Sequence, residues 1–154
     1  MKKVNYLLVL VALFMFSCGG SSDQSGEETA APPQSMVADE ADPMDNKGVG
    51  PITSVELPAE IDPEMAASGE KLYKAMCTAC HKIGANYIGP APNGVLTRRS
   101  PEWVMNMILN PEEMVQKDPV AKQLLIEYNG APMANQNLTE EQARDILEYF
   151  RTLD

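Results

Sequence analysis

Hydrophobic positions in the second half of the chain repeat with the period of an α-helix, and no alternation typical of a strand competes with them. Proline directly after a side chain with an oxygen acceptor is a common way for a helix to begin. Asn110-Pro111 predicts a stop and a short turn, and Asn129-Gly130 predicts a helix end. The pattern therefore predicts an all-α domain, with helices beginning at Asp62-Pro63-Glu64, Ser100-Pro101-Glu102, Asp118-Pro119 and the Thr139/Gln142 capping box.

The first residues have the features of an export signal. Lys2 and Lys3 precede an unbroken apolar run over 7–16, which is too short to span a bilayer as a helix. The following Ser17-Cys18-Gly19 resembles a bacterial lipoprotein box, in which Cys18 is lipidated and becomes the mature N-terminus. An uncleaved anchor or a free cysteine is the alternative. We expect residues 1–17 to be the signal and Cys18 to be the lipidation site.

Residues 18–57 show no apolar period and are rich in Gly, Ser, Pro, Ala and acidic side chains, with Lys47 as the only basic residue. Such a segment buries too little apolar surface to offset the entropy of ordering, and its charges repel one another. The sequence therefore predicts a disordered acidic tether over 18–57 and one folded domain over 58–154.

Composition narrows the classes of function. The 154 residues are 44% hydrophobic, an average globular mix, and 22 acidic against 12 basic residues give a net charge of −10. A chain this acidic repels a phosphate backbone, which excludes nucleic acid as a first choice of partner. The single histidine excludes any site that needs two imidazoles from this chain.

Cys77-Thr78-Ala79-Cys80-His81 is the attachment motif of a c-type haem. Two thiols three positions apart can add to the two vinyl groups on one edge of a porphyrin, and the adjacent His81 then lies under the iron as the proximal ligand. A thioredoxin-like redox pair is one alternative, but no strand is predicted beside it. Half of a zinc site is another, but no second pair of ligands exists in the sequence. The motif uses the only histidine and both cysteines of the domain.

With this motif in place, residues 58–154 resemble a small class I, mono-haem cytochrome c. The resemblance implies an all-α cytochrome c fold of three to five short helices around one covalent haem c. Gly69 and Tyr73 match the helix that the family crosses with its last helix, where Tyr149 or Phe150 supplies the partner aromatic. The resemblance also implies that the Pro90 carbonyl accepts from the ring N–H of His81. It places Trp103 beside a haem propionate, with plain core packing as the alternative.

The sixth position on the iron is assigned among methionines, since no second histidine exists. Met133 follows Gly130-Ala131-Pro132 and precedes a short polar run into the last helix, which resembles the methionine loop of the family. Met114 lies in a short polar stretch and stays open as a ligand. The other four methionines of the domain are predicted to fill the core: Met65, Met76, Met105 and Met107. His81 and Met133 are therefore the expected metal ligands.

A haem with both axial positions filled carries single electrons, because oxygen has nowhere to bind. We therefore predict an electron-transfer protein and not an enzyme. It would be held on the periplasmic or outer face of a membrane by Cys18, and would work as a monomer between the donor and acceptor proteins of a respiratory chain. A gas-binding or peroxidatic cytochrome with a displaceable Met133 is the first alternative. The second is a haem subunit of a larger membrane oxidoreductase that reduces oxygen or nitrogen oxides.

Overall fold

A computed structural model describes residues 42–153. The predicted signal, Cys18 and most of the predicted tether lie outside the described residues. The prediction of an all-α domain is confirmed, since residues 42–153 contain five α-helices and, apart from one isolated bridge between Lys82 and Ala85, no β-structure. None of these helices is long and apolar enough to cross a membrane. The helices are α1 (Pro63–Met76), α2 (Pro101–Leu109), α3 (Pro111–Lys117), α4 (Pro119–Glu127) and α5 (Glu140–Arg151), with a single 3₁₀ turn at Val95–Thr97.

Helices α1, α2 and α4 begin with proline in the first turn after an oxygen-bearing cap, as predicted. The Asp62 carboxylate accepts hydrogen bonds from the backbone N–H groups of Glu64 and Met65 at the start of α1. The capping box of Thr139 and Gln142 is complete at the start of α5. Asn110-Pro111 starts the seven-residue helix α3 instead of the predicted turn. A proline at the first helical position favours helix initiation as readily as it ends the helix before it.

Helices α1 and α5 cross in direct backbone contact at Gly69. A Cβ atom at this position would lie 2.0 Å from the carbonyl oxygen of Asp145, so any larger residue would push the helices apart. Ser68 donates a hydrogen bond to the Asp145 carboxylate at 2.7 Å on the same face. One turn later, the Tyr73 ring packs against Tyr149 and Phe150, with centroids 5.6 and 5.8 Å away. Both aromatic residues proposed for α5 therefore contact Tyr73.

A buried carboxylate joins α5 to the chain that enters α1. Glu148 is 1% exposed and accepts hydrogen bonds from Arg144, Arg151 and the Asp62 backbone N–H at 2.5, 2.6 and 2.8 Å. Burial alone would raise the pKa of Glu148, but these three donors outweigh it and hold the pKa below its ordinary value. Arg151 also donates to the carbonyl oxygen of Pro58 at 2.6 Å. The segment before α1 is thus tied to α5 by charged hydrogen bonds.

The predicted tether is wrong for its last part, because residues 46–55 pack along α2 and α3; we call them the strap. Ile52 is buried, and its backbone N–H and carbonyl both hydrogen bond to the buried Asn106 side chain, at 3.0 and 2.9 Å. The Glu102 carboxylate accepts from Lys47 and from the Val55 backbone N–H. The strap has no apolar period because its backbone is held by side chains from distant helices. The folded domain therefore begins well before residue 58.

We predict that Gly69→Ala destabilises the haem-loaded protein by about 3 kcal/mol, at the upper end of the cost of adding atoms to a packed contact. Alanine favours a helix interior over glycine by about 1 kcal/mol, so a loss requires the clash with Asp145 to outweigh this gain. Urea unfolding measures the difference. The exposed Lys71→Ala on the same helix is the control and should change the free energy of unfolding by less than about 0.5 kcal/mol. A more stable Gly69→Ala protein would contradict the crossing.

Candidate haem site

The domain contains a mostly apolar cavity of about 260 Å³. Its walls are formed by the end of α1, by helices α2, α4 and α5, and by the loops over residues 78–99 and 130–136. Its walls bring together Cys77, Cys80, His81 and Met133, which the sequence places more than fifty positions apart at the extremes. Pro90 and Trp103 also line it. All six domain residues predicted to hold the cofactor therefore face one cavity, and the seventh predicted site residue, Cys18, lies outside the described chain.

The two cysteines and the histidine are presented by the turn that follows α1. Cys77 caps the helix, and its carbonyl oxygen accepts hydrogen bonds from the backbone N–H groups of Cys80 and His81 at 3.0 and 2.9 Å. Burial and the nearby Cys80 thiol raise the pKa of Cys77 to about 11. Redox-active pairs of the thioredoxin kind depend on a lowered thiol pKa, so this environment disfavours that alternative. A cluster of three or more metal-binding side chains is absent from residues 42–153, which disfavours the zinc alternative.

The His81 ring is fixed by its surroundings. Its Nδ1 lies 2.8 Å from the Pro90 carbonyl oxygen, and a carbonyl oxygen can only accept, so Nδ1 carries the proton. Nε2 is then left with a lone pair for a metal. A Cβ atom on Gly89 would lie 2.5 Å from Cε1 of the ring, so only glycine allows this approach. The main-chain carbonyl oxygen of His81 accepts from the Tyr73 hydroxyl at 3.0 Å, which links the backbone at His81 to the α1/α5 crossing.

The structure separates the two candidate methionine ligands. Met133 is half-buried, lies outside the helices and faces the cavity. Met114 is fully buried away from the cavity, and its Sδ accepts a hydrogen bond from the Val49 backbone N–H of the strap at 3.0 Å. Core filling is confirmed for Met105, which is buried, and is wrong for Met76, which is 43% exposed at the cavity mouth. Met107 lines the cavity from within α2.

The loop that carries Met133 is held at both ends. Helix α4 ends in a Schellman motif, in which the Gly130 backbone N–H bonds to the Leu125 carbonyl and Asn129 adopts a positive φ of 59°. The helix end predicted at Asn129-Gly130 is confirmed, with Asn129 in the first left-handed position and Gly130 in the next. At the far end, the capping box of Thr139 begins α5. The position of the Met133 thioether is therefore determined by the short loop over residues 131–138.

Two arginines that the sequence analysis did not single out also line the cavity. Arg98 and Arg99 are the only Lys, Arg, Asp or Glu side chains among the cavity-lining residues. Their guanidinium groups donate only to backbone carbonyl oxygens within the described chain, whereas Arg144 and Arg151 both hold Glu148. The available signal was charge: from Lys71 to Pro101 the sequence contains five basic residues and no acidic one. A haem carries two propionate carboxylates, which these arginines can neutralise.

The position of Trp103 agrees with core packing, and its place beside a propionate stays a prediction. The ring is buried in the core and also lines the cavity, and its Nε1–H donates to the Asp118 carboxylate at 3.1 Å. Two thiols, one oriented imidazole and a thioether around an apolar cavity are groups that can attach and ligate a covalent haem. The residues present therefore fit the group: Cys77 and Cys80 would bind its edge, and His81 and Met133 would be available to its iron.

Comparisons with known proteins agree with this geometry. Residues 66–154 match the family model described as cytochrome c. A cytochrome c structure from Rhodothermus marinus is 48% identical over 68% of this chain and 89% of that chain, with a TM-score of 0.65. An engineered form of it bound to a carbene intermediate is 47% identical over 68% and 89%, with a TM-score of 0.63. The cytochrome c domain of a Pseudomonas putida protein is 29% identical over 55% and 85%, with a TM-score of 0.51. No curated protein sequence matches the chain.

Proposed function

The chain belongs to the cytochrome c family, and from this premise we propose that it is a membrane-tethered carrier of single electrons with His81 and Met133 as axial ligands. As a member of this family it binds one covalent haem c, and Cys77 and Cys80 have the spacing that attachment requires. The haem supplies a reversible one-electron change between Fe(II) and Fe(III). The proposal depends above all on one observation, the joint presence of the oriented His81 ring and Met133 in one cavity.

A filled sixth position is what makes a carrier out of this site. Met133 is favoured over Met114 because the sulfur of Met114 is already engaged by the strap. Met76 directly precedes Cys77 and is only five positions from His81. A methionine this close to the attachment motif is poorly placed to bind the iron from the side opposite His81. The Met133 loop is short and fixed at both ends, which lowers the entropy lost when its thioether binds.

Replacing Met133 by alanine should leave the haem covalently attached but remove the thioether from the iron. We expect the midpoint potential to fall, because the thioether favours Fe(II). The near-infrared charge-transfer band from methionine sulfur to Fe(III) should vanish, and the reduced protein should bind carbon monoxide rapidly. Spectroscopy of the oxidised and reduced protein measures all three.

Met114→Ala and Met107→Leu are the matched controls, and both should keep the band and the potential of the parent protein. Loss of the band in either one would transfer the ligand to that methionine. Rapid carbon monoxide binding by the unmodified protein would favour the gas-binding alternative. That alternative has one observation behind it, since the engineered Rhodothermus relative is described as bound to a carbene intermediate.

The face through which electrons are exchanged differs in charge from the rest of the protein. Lys82 lies 5.1 Å above the Tyr87 ring and donates to the Thr78 carbonyl oxygen, and Thr78 in turn donates to the carbonyl oxygen of Lys74. This contiguous surface borders the exposed Cys80 and the exposed apolar side chains of Ile83, Tyr87 and Ile88. From Lys71 to Pro101 the sequence carries no acidic residue, although the whole chain has a net charge of −10. Lys74 is paired with Glu70 at 2.9 Å, so Lys82 supplies the uncompensated charge of this face.

We infer that this basic and apolar face receives a redox partner whose own exposed site is apolar and rimmed by carboxylates. Opposite charges around two small apolar patches steer the encounter, and the contact stays weak enough for rapid turnover. The local positive charge acts at short range, where the distant acidic residues are screened by salt. The partner is thus recognised by the haem face and not by the net charge of the protein.

Electron transfer to a small anionic reagent tests this face without knowledge of the partner. The rate at which hexacyanoferrate(III) oxidises the reduced protein should fall as ionic strength rises, although both carry net negative charge. Lys82→Gln should weaken that dependence, whereas Lys117→Gln, which removes the same charge from α3, should leave it unchanged. A rate that rises with salt in the parent protein would show that net charge governs the encounter.

The membrane tether rests on the sequence features before the described chain. A positive start, a ten-residue apolar run and the Ser17-Cys18-Gly19 sequence support export to the periplasm and lipidation at Cys18. Attachment of a haem to paired thiols outside the cytoplasm is consistent with this route. A tethered carrier would exchange electrons between respiratory proteins of the same membrane.

Changing Cys18 to serine should move the protein from the membrane fraction to the soluble periplasmic fraction, or block its maturation, because the acyl chains would have no thiol to join. Fractionation followed by detection of the covalent haem measures this. Export of the haem-loaded variant that still fractionates with membranes would contradict lipidation at Cys18 and leave the carrier proposal intact.

A further inference from the structure

Four residues close a ring of hydrogen bonds between the strap and the cavity wall. The Asn46 carbonyl oxygen accepts from the Ser100 hydroxyl at 2.6 Å, and the Ser100 oxygen accepts from the Trp103 backbone N–H at 3.1 Å. Trp103 Nε1–H donates to one oxygen of Asp118 at 3.1 Å, and the Asn46 amide donates to the other at 2.8 Å. Ser100, Trp103 and Asp118 are all buried. The ring therefore joins residues up to 72 positions apart through direct hydrogen bonds.

Two members of this ring are helix caps. Ser100 is the N-cap of α2, and Asp118 is the N-cap of α4, where its carboxylate also accepts from the Ala121 backbone N–H at 2.7 Å. Trp103 and Ala121 both line the haem cavity. Asn46 does not line the cavity. It hydrogen bonds to the N-caps of the two helices that carry these wall residues. Two hydrogen bonds of Asn46 thus join the strap to the starts of these helices.

The Asp118 carboxylate is compensated only by N–H dipoles. Its partners within the described chain are the Asn46 amide, the Trp103 indole and the Ala121 backbone, and it forms no ion pair there. The Arg99 guanidinium lies 5.5 Å from the centre of the Trp103 ring. The indole is therefore held by a carboxylate at its N–H edge and borders a cation at the cavity.

We propose that Asp118 is a positioning residue of the haem site, which fixes the Trp103 ring against the cofactor and lowers the reduction potential through its negative charge. A buried negative charge near the iron favours Fe(III) over Fe(II), because Coulomb energies are large where water is excluded. The amide of Asn46 donates to this carboxylate and partly compensates its negative charge, so this residue of the strap contributes to the reduction potential. The proposal rests on the haem and its electron-transfer function, and it is independent of whether Met133 is the ligand.

The test compares three variants of the haem-loaded protein. Asp118→Asn keeps an oxygen acceptor for the indole and removes the charge, so the midpoint potential should rise. Asn46→Ala removes a donor and leaves the charge less compensated, so the potential should fall. Asn106→Ala loosens the strap at Lys47 and Ile52 without touching the ring, so it should lower the unfolding midpoint and leave the potential unchanged.

The single tryptophan supplies a direct readout, because the indole N–H signal in the ¹⁵N-resolved NMR spectrum of the reduced protein belongs to Trp103 alone. That signal should shift in Asp118→Asn and stay in place in Asn106→Ala. The charge-transfer band of the oxidised protein is recorded for each variant, so that loss of an axial ligand is distinguished from a change of field. An unchanged potential in Asp118→Asn, or an equal shift in Asn106→Ala, would reduce the ring to a structural role and overturn the proposal.

Discussion

The rest of the structure depends on the backbone contact between α1 and α5 at Gly69. Because no side chain separates the helices there, Tyr73 enters the core one turn later and meets both Tyr149 and Phe150. Its hydroxyl then reaches the His81 carbonyl. The crossing thus determines where α1 ends, and with it the placement of the two thiols and the imidazole. Packing at the helix crossing and the position of the haem-attachment motif thus depend on the same close contact.

The strap is held by side chains in an unusual place for polar groups, the buried face of α2 and α3. Every fourth residue from Glu102 to Asp118 contacts the strap through a carboxylate, an amide or a sulfur. Buried polar groups are costly unless they are paired, and no buried side-chain nitrogen or oxygen within residues 42–153 lacks a partner. A small domain whose centre is reserved for a cofactor gains rigidity here from hydrogen bonds. The contacting residues are Glu102, Asn106, Asn110, Met114 and Asp118.

How far the sequence alone predicts this molecule depends on the range of the interactions involved. Helix starts are local, so Asp62-Pro63 and the Thr139 capping box could be read directly. The spacing of Cys77, Cys80 and His81 is also local and indicates its chemistry. The strap could not be found in this way, because its backbone is satisfied by Asn106 and Glu102, some fifty positions away. The two cavity arginines were missed for a related reason: their significance lies in the absence of nearby acids, and only the fold shows which residues are near.

The strap also limits how far the domain can stand from its anchor. If Cys18 is the point of attachment, the chain leading to Asn46 has 28 residues, and a fully extended chain rises about 3.5 Å per residue. The domain then stays within about 100 Å of the membrane, whereas a tether that ended at residue 57 would allow about 140 Å. Binding of residues 46–55 to α2 and α3 thus shortens the longest possible distance between Cys18 and the domain by roughly the width of a small protein. With such an anchor, only membrane complexes within this distance would be able to meet the haem face.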